Sequence, residues 1–400
     1  MRTDCVVVGA GPAGLATSAA LTQRGVDHVI LERRQVGDTW RTQRWDSFRL
    51  NTPGWMNQLL SDQGRYAYAD RAMVVQKLEQ LASNSPIHTG VRVARLARAV
   101  DGYALRTSDG EFRCRTVVVA TGDQNVPRMP ALARLLPDRV AQYHTADYAG
   151  PGQLPDGAVL VVGSAQSGCQ ITEDLLVAGR RVVLATSPVA RLPWRHRGRD
   201  SLEWLTEAGF YAQRPQDLPD PSALRASQPI VASGGRSLSL PALARAGATL
   251  VGRLVGATGE RLDFDESAQA NVAAGDAGAE RMRATMDDFI RRRGLKASAA
   301  EPDDTDAPVK LDPPTTLDMC DHDISSVVWC TGFTGDFSWL NPSMLDGAGQ
   351  PRRDGSAAVA AGVWYVGLRW LTQRGSGILF GFTNDAAAVA DAVKARLDGS

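Results

Sequence analysis

Two segments of this 400-residue chain have the residue types and spacing to hold phosphate: Gly9-Ala10-Gly11-Pro12-Ala13-Gly14 and Gly163-Ser164-Ala165-Gln166-Ser167-Gly168. In the first, Gly9 permits a tight turn, Gly11 lets the backbone approach a pyrophosphate, and Gly14 lets a new helix pack on the preceding strand. The N-terminus of that helix carries partial positive charge and points at the phosphates. The second segment keeps the outer glycines, but Ala165 takes the middle place. Two such loops predict two bound dinucleotides, and a chain with two dinucleotides usually passes electrons between them. The expectation is a nicotinamide-dependent flavoprotein.

The flanking residues predict the elements that position these loops. Val6-Val7-Val8 reads as a buried strand, the small-residue run Leu15–Leu21 as a helix ended by Gly25, and Val29-Ile30-Leu31 as a second strand ending at Glu32. A carboxylate there accepts hydrogen bonds from ribose hydroxyls, which makes the first loop the FAD site. Val159–Val162, a helix from Cys169 to Ala178 closed by Gly179, and the strand Val182–Ala185 repeat the pattern. Glu32 lies eighteen residues past Gly14, and the same count from Gly168 reaches Thr186, which is not an acid. An acid would repel a 2′-phosphate, so its absence favours NADPH over NADH. Downstream, Arg191, Arg195, Arg197 and Arg199 form a basic cluster. One or two of them, with Arg191 and Arg195 as the candidates, can clamp that phosphate; the alternative is a solvated basic loop.

Lys plus Arg equals Asp plus Glu, 44 each, which gives no electrostatic case for nucleic acid or an anionic membrane. No run is long enough to span a bilayer, and the N-terminus has no signal-peptide pattern, so a cytoplasmic protein is expected. Five cysteines stand at 5, 114, 169, 320 and 330 without a CxxC pair. That disfavours a zinc site and a disulfide reductase, and no other metal-ligand spacing occurs. The chain divides into the first part of an FAD domain (1–150), an NADPH domain (158–325) carrying an insertion at 199–310, and the returning part of the FAD domain (326–400). The fold class is α/β, with the NADPH domain inserted into the FAD domain. Residues 87–119 read as strands with a hairpin turn at Asp109-Gly110. Ala279–Arg293 reads as an exposed amphipathic helix stopped by Gly294. The turns Ala120-Thr121-Gly122 and Cys330-Thr331-Gly332 are the expected hinges.

Together with Asp38-Thr39-Trp40-Arg41, the stretch Arg44–Pro53 and the run Arg374–Gly381 leading to Asn384-Asp385-Ala386, these residues resemble the flavin-containing monooxygenases, the class B flavoprotein group, over nearly the whole chain. The family signature between the domains is half kept: His144 and Tyr148 are present, while its Phe and Gly positions hold Asp138 and Val140. The resemblance implies two Rossmann-like domains, each a three-layer ββα unit. It implies cofactor contacts at Arg33, Thr39, Trp40, Arg41, Thr121, Gly122, Gly332, Gly377 and Asn384, besides the loops and Glu32.

The implied activity is reduction of FAD by NADPH, formation of a C4a-(hydro)peroxyflavin with O2, and transfer of one oxygen atom to a small organic substrate. N- or S-oxygenation and hydroxylation lead. Baeyer–Villiger oxygenation, an NADPH oxidase or dehydrogenase, and a non-turnover flavoprotein acting as redox sensor or binding partner are the alternatives. Such chemistry needs a dry pocket rather than an acid/base dyad, and none is evident. In the resemblance the flavin-side asparagine falls on Asn51, whose amide can position oxygen or cap the turn before Thr52-Pro53. Trp45 and Trp55 can wall the site or pack the core. His144 can seat the nicotinamide or be structural. Substrate-pocket residues are expected from 199–310 and 51–66. Monomer and homodimer both stay open.

Overall fold

The computed structural model describes residues 1–57, 64–224, 226–303, 305 and 307–399. Its first sheet is built on the strand Arg2–Val8, which pairs in parallel with His28–Glu32 on one side and Gly110–Val119 on the other. Ile87–Thr89 and Val363–Tyr365 extend the parallel array outward. Val6, Val7 and Val117 to Val119 are buried, as a strand covered on both faces requires. The helices Pro12–Gln23 and Phe382–Asp398 cover one face, tied by Arg24 to Asp391 at 2.7 Å. An antiparallel arm, Val93–Ala99 with Gly102–Thr107, runs off the Gly110 strand and packs Leu96, Leu105 and Phe112 over the other face.

The second sheet is wholly parallel. Its order is Thr249–Val251, Val182–Ala185, Ala158–Val162, Ile324–Trp329, Ala141–His144. The helix Gln166–Val177 packs on one face, and a three-stranded antiparallel sheet (Leu254–Thr258, Arg261–Phe264, Thr316–Asp318) on the other. Both units are therefore the α/β, three-layer ββα arrangement expected. Among the described residues no helix is long and apolar enough to cross a membrane.

Three expectations need correction. The strands Ala141–His144 and Ile324–Trp329 belong to the second sheet, so that unit begins before 150 and ends after 325. The chain crosses between sheets through the short pair Val126–Pro127 with Phe333–Thr334. Residues 199–310 are not all insertion, because Thr249–Val251 is the edge strand of the parallel sheet. Finally, the helix ended by Gly294 (φ 60°) starts at Ala268, and it is not merely exposed. Val272, Ala279 and Met286 are buried, and Gly278 packs so closely that a Cβ there would stand 2.6 Å from that of Ala190. Its Ala- and Gly-rich first half has too few large apolar residues to announce a buried face.

Candidate functional site

The two glycine loops are built alike. A Cβ on Gly9 would stand 2.6 Å from the carbonyl oxygen of Ala120, and one on Gly163 2.6 Å from that of Cys330. Both glycines have positive φ, 111° and 105°. Gly14 and Gly168 pack against the carbonyls of Gly9 and Gly163, leaving no room for a side chain. Gly11 has nothing within 4 Å of where its Cβ would be, which leaves its backbone open toward a ligand. The two Thr-Gly turns are the equivalent supports, each at the end of the strand behind its loop.

A cleft of about 440 Å³ lies between the units, lined by Gly11, Pro12 and Ala13 from one loop helix and by Gln166 and Ser167 from the other. Thr39, Trp40, Asn51, Thr121, Gly122 and Gly377 also line it. A smaller cavity of about 120 Å³ opens beside the first loop, bordered by Gly9, Gly11, Glu32, Arg33 and Thr39. The Glu32 carboxylate accepts hydrogen bonds from Ala10 N–H at 2.8 Å and Arg34 N–H at 3.0 Å, so it also fixes the loop it serves. Two buried polar atoms of cleft-lining residues lack a partner among the described residues: Gln43 Oε1 and Thr121 Oγ1. A buried hydroxyl or amide oxygen left unpaired is costly, so these atoms point to a polar ligand. The open Gly11, the helix N-terminus and the orphaned atoms fit a dinucleotide at the first loop; at the second, the backbone N–H groups of the helix N-terminus are what a dinucleotide would meet.

Asn51 lines the cleft, and its amide has no hydrogen bond among the described residues. The turn-capping role is filled by Asn57, which donates to the carbonyls of Thr52 and Pro53 at 3.0 Å each. Residues 58–63 of the expected 51–66 pocket segment lie outside the described residues. Trp45 is both core and wall: it lines the cleft and meets Phe48 edge-on at 5.2 Å. Trp55 borders a neighbouring apolar cluster instead. His144 donates from Nε2 to Gly332 O at 3.0 Å, while Nδ1 accepts from Ala146 N–H at 3.1 Å. Both nitrogens are thus occupied by backbone, one of them by the hinge at Gly332, and burial lowers the pKa of this ring. Ser164 is spent on Ser187, and Gln166 accepts from Val231 N–H at 2.8 Å.

Four expected contacts, Arg191, Arg195, Asn384 and Arg41, are not where the sequence suggested. Arg191 is buried and donates Nε and Nη2 to Asp276 Oδ1 at 3.0 and 2.8 Å, so its charge is neutralised within the fold. Arg197 and Arg199 likewise pair with Asp287 and Glu207; Arg195 stacks on Trp194 and bonds Gly198 O. The acids that neutralise this cluster come from the helices Ala268–Arg293 and Ser201–Glu207, which spacing along the chain does not place beside it. Asn384 lies on the exposed side of the helix Phe382–Asp398; the buried first-turn residues are Phe382 and Asp385. Arg41 turns away from the cleft to Val36 O and Glu79.

Arg44, in the stretch Arg44–Pro53, and Tyr211, in the 199–310 segment expected to supply pocket residues, line the cleft; neither was singled out by itself. The Arg44 guanidinium stacks over Trp40 and Phe48, and burial pushes its pKa down to about 10. Its spacing from Trp40, four residues along, was the available signal. Tyr211 carried only its place in the 199–310 segment, since no motif near it in sequence marks the residue itself.

Residues 6–207 match the family model of the pyridine nucleotide-disulphide oxidoreductases. The chain belongs to that family. It is 27% identical over 393 residues, 96% of each chain, to an uncharacterized oxidoreductase CzcO-like from Geobacillus kaustophilus. It is 32% identical over 185 residues to indole-3-pyruvate monooxygenase YUCCA1 from Oryza sativa subsp. japonica, covering 44% of this chain and 46% of that one. A double mutant of a flavin monooxygenase from Stenotrophomonas maltophilia shares the fold with a TM-score of 0.68, at 20% identity over 99% of both chains. The bacillithiol disulfide reductase of Staphylococcus aureus shares it with 0.59, at 12% identity over 99% of both. Within the pyridine nucleotide-disulphide oxidoreductases this chain is thus flavin-monooxygenase-like in architecture. None of its five cysteines lines the cleft that a dithiol relay would need.

Proposed function

We propose that this protein is an NADPH-dependent flavin monooxygenase that transfers one oxygen atom of O2 to a small organic molecule. The observation that carries the reading is a single cleft lined by both loop helices and by no cysteine. The first loop and the Glu32 carboxylate hold FAD: Gly11 and the helix N-terminus meet the pyrophosphate, and Glu32 accepts from ribose hydroxyls. Gln166 and Ser167 at the second helix N-terminus hold NADPH across the cleft. When bound, the flavin supplies hydride acceptance and oxygen activation. The free Asn51 amide donates and accepts hydrogen bonds where oxygen must be held. The apolar residues facing it exclude water, so that reduced oxygen is not lost as peroxide.

Stopped-flow absorbance tests this. The NADPH-reduced protein is mixed with oxygenated buffer, and a species distinct from both reduced and oxidised flavin should persist. Direct return of oxidised flavin with stoichiometric peroxide would make the protein an oxidase. A yellow protein that NADPH never bleaches anaerobically would refute turnover altogether.

A further inference from the structure

The cleft is asymmetric in its chemistry. Its charged lining residues, Arg44, Arg49 and Asp123, all come from the first unit. Arg49 is paired with Asp70 at 2.8 Å, and Asp123 faces Arg369 at 3.7 Å. The opposite wall is formed by Leu192, Leu202, Leu205, Phe210, Val231 and Met282, all members of or packed on one apolar cluster. Among the described residues, no Lys, Arg, Asp or Glu beyond residue 123 lines the cleft.

Tyr211 stands in this apolar wall. Its backbone carbonyl accepts from Gly375 N–H at 2.8 Å, and its ring meets Phe210 and Phe380 edge-on at 5.3 and 5.6 Å. The residue is therefore fixed from both units. Its hydroxyl makes no hydrogen bond with any described residue. Arg374 stacks on Phe210 and Trp370 and bonds Gln213; its charge reaches the phenol from behind, but it does not line the cleft. Burial pushes the Tyr211 pKa up, which keeps the hydroxyl protonated and a donor.

Resting on the monooxygenase reading, we propose that the chamber takes an uncharged apolar substrate bearing one hydrogen-bond acceptor, and that Tyr211 donates to that acceptor and sets specificity. A carboxylate substrate would be desolvated against six apolar side chains with no cation among the described residues lining that wall to pair with it. For a thioether the balance is sulfide, O2, NADPH and a proton giving sulfoxide, NADP⁺ and water: sulfur is oxidised, and the hydride and the proton leave with the second oxygen atom.

Three probes with the same oxidisable sulfur separate the possibilities: methyl phenyl sulfide, para-(methylthio)acetophenone and para-(methylthio)benzoate. Calorimetric titration of each into the holoprotein gives Kd without turnover. The neutral ketone should bind at least about tenfold tighter than the carboxylate. Tyr211→Phe should weaken the ketone about tenfold, as loss of one hydrogen bond implies. It should move methyl phenyl sulfide less than about twofold. Equal or tighter binding of the carboxylate overturns the proposal, and so does an equal effect of Tyr211→Phe on all three probes. The wild-type ranking needs no variant. Sulfoxide formed per NADPH is read separately: its absence, with the Kd ranking intact, would refute oxygen transfer and leave the chamber's specificity standing.

Discussion

Replacing Gly11 by Val is expected to strip the protein of FAD while leaving its fold standing. The residue has φ −79°, which any side chain tolerates, and a Cβ there meets nothing within 4 Å. The cost to the empty protein is that of a poorer helix N-cap, about 1 kcal/mol. The same side chain projects into the space that a pyrophosphate needs in order to reach the loop amides. Losing two charge-assisted hydrogen bonds, each worth about 1.5–3 kcal/mol, raises the FAD Kd by about 10²–10⁴. Gly14→Ala should behave in the opposite way. Its methyl would overlap the Gly9 carbonyl and stand 3.3 Å from the Ala120 Cβ, so overpacking should cost about 1–3 kcal/mol or more in the empty protein. The assay is FAD Kd by fluorescence quenching together with melting of the stripped protein. The reasoning fails if Gly11→Val binds FAD within about threefold of wild type, or if it melts as low as Gly14→Ala. Ala165 provides an internal control: Ala165→Gly should change NADPH affinity by less than about tenfold and leave FAD affinity alone.

Arg191→Ala should lower melting by several degrees and leave the KM ratio of NADPH to NADH within about twofold, because the guanidinium answers Asp276 inside the fold. Steady-state kinetics with both coenzymes checks this, and a selective rise for NADPH would reinstate Arg191 at the 2′-phosphate. Asn51→Ala should keep flavin reduction normal and cut product per NADPH about tenfold, the remainder leaving as peroxide; a peroxide assay beside product analysis reads it. Burial raises the Asp200 pKa from 3.8 to about 6. A carboxyl raised in the fold binds its proton more tightly than in the unfolded chain. The contribution of Asp200 to stability is therefore lowest above pH 6 and grows as pH falls toward 4, by about 2–3 kcal/mol, against the carboxylates held low by ion pairs and hydrogen bonds, which lose stability over the same range. Asp200→Asn, which keeps an acceptor for Leu202 N–H, should flatten that window in a melting-against-pH series; an unchanged slope would exclude Asp200 as its source.

What was legible in the sequence is what local spacing encodes. Gly9 and Gly14 are read from spacing because turn and helix–strand contact are set within six residues. Glu32 is read because the strand ends where the loop's partner must be. The rest depends on contacts far apart in the chain. Ala141–His144 looks like a short polar strand until it pairs with Ser326–Trp329, nearly two hundred residues away. The basic run 191–199 looks like an anion site until Asp276 and Asp287 arrive from a helix some ninety residues on. Tyr211 acquires meaning only when Gly375 and Phe380 close over it.

The question left by the family is where reducing equivalents go after the flavin. A disulphide oxidoreductase needs a thiolate beside it, and this chain offers none. Burial pushes the Cys5 and Cys330 thiols up to about 12, and Cys114 and Cys169 further still. At neutral pH these four are apolar packing groups rather than nucleophiles. Cys330 lies behind the second loop, where its Cβ would be 3.4 Å from one on Gly168, so it fills the space that the loop glycines leave. Cys320 is exposed beside Arg139 and Glu260, among residues that do not line the cleft. The wall facing Asn51 is supplied instead by apolar residues between 192 and 282 and by the loop around Gly377. Such a wall cannot relay electrons; it can only hold a molecule and keep water away from it. With two dinucleotide sites and no cysteine lining the cleft between them, the proposed route for those electrons is a diffusible acceptor, and among the described residues the Asn51 amide and the Tyr211 hydroxyl are polar groups that line that cleft without a protein partner.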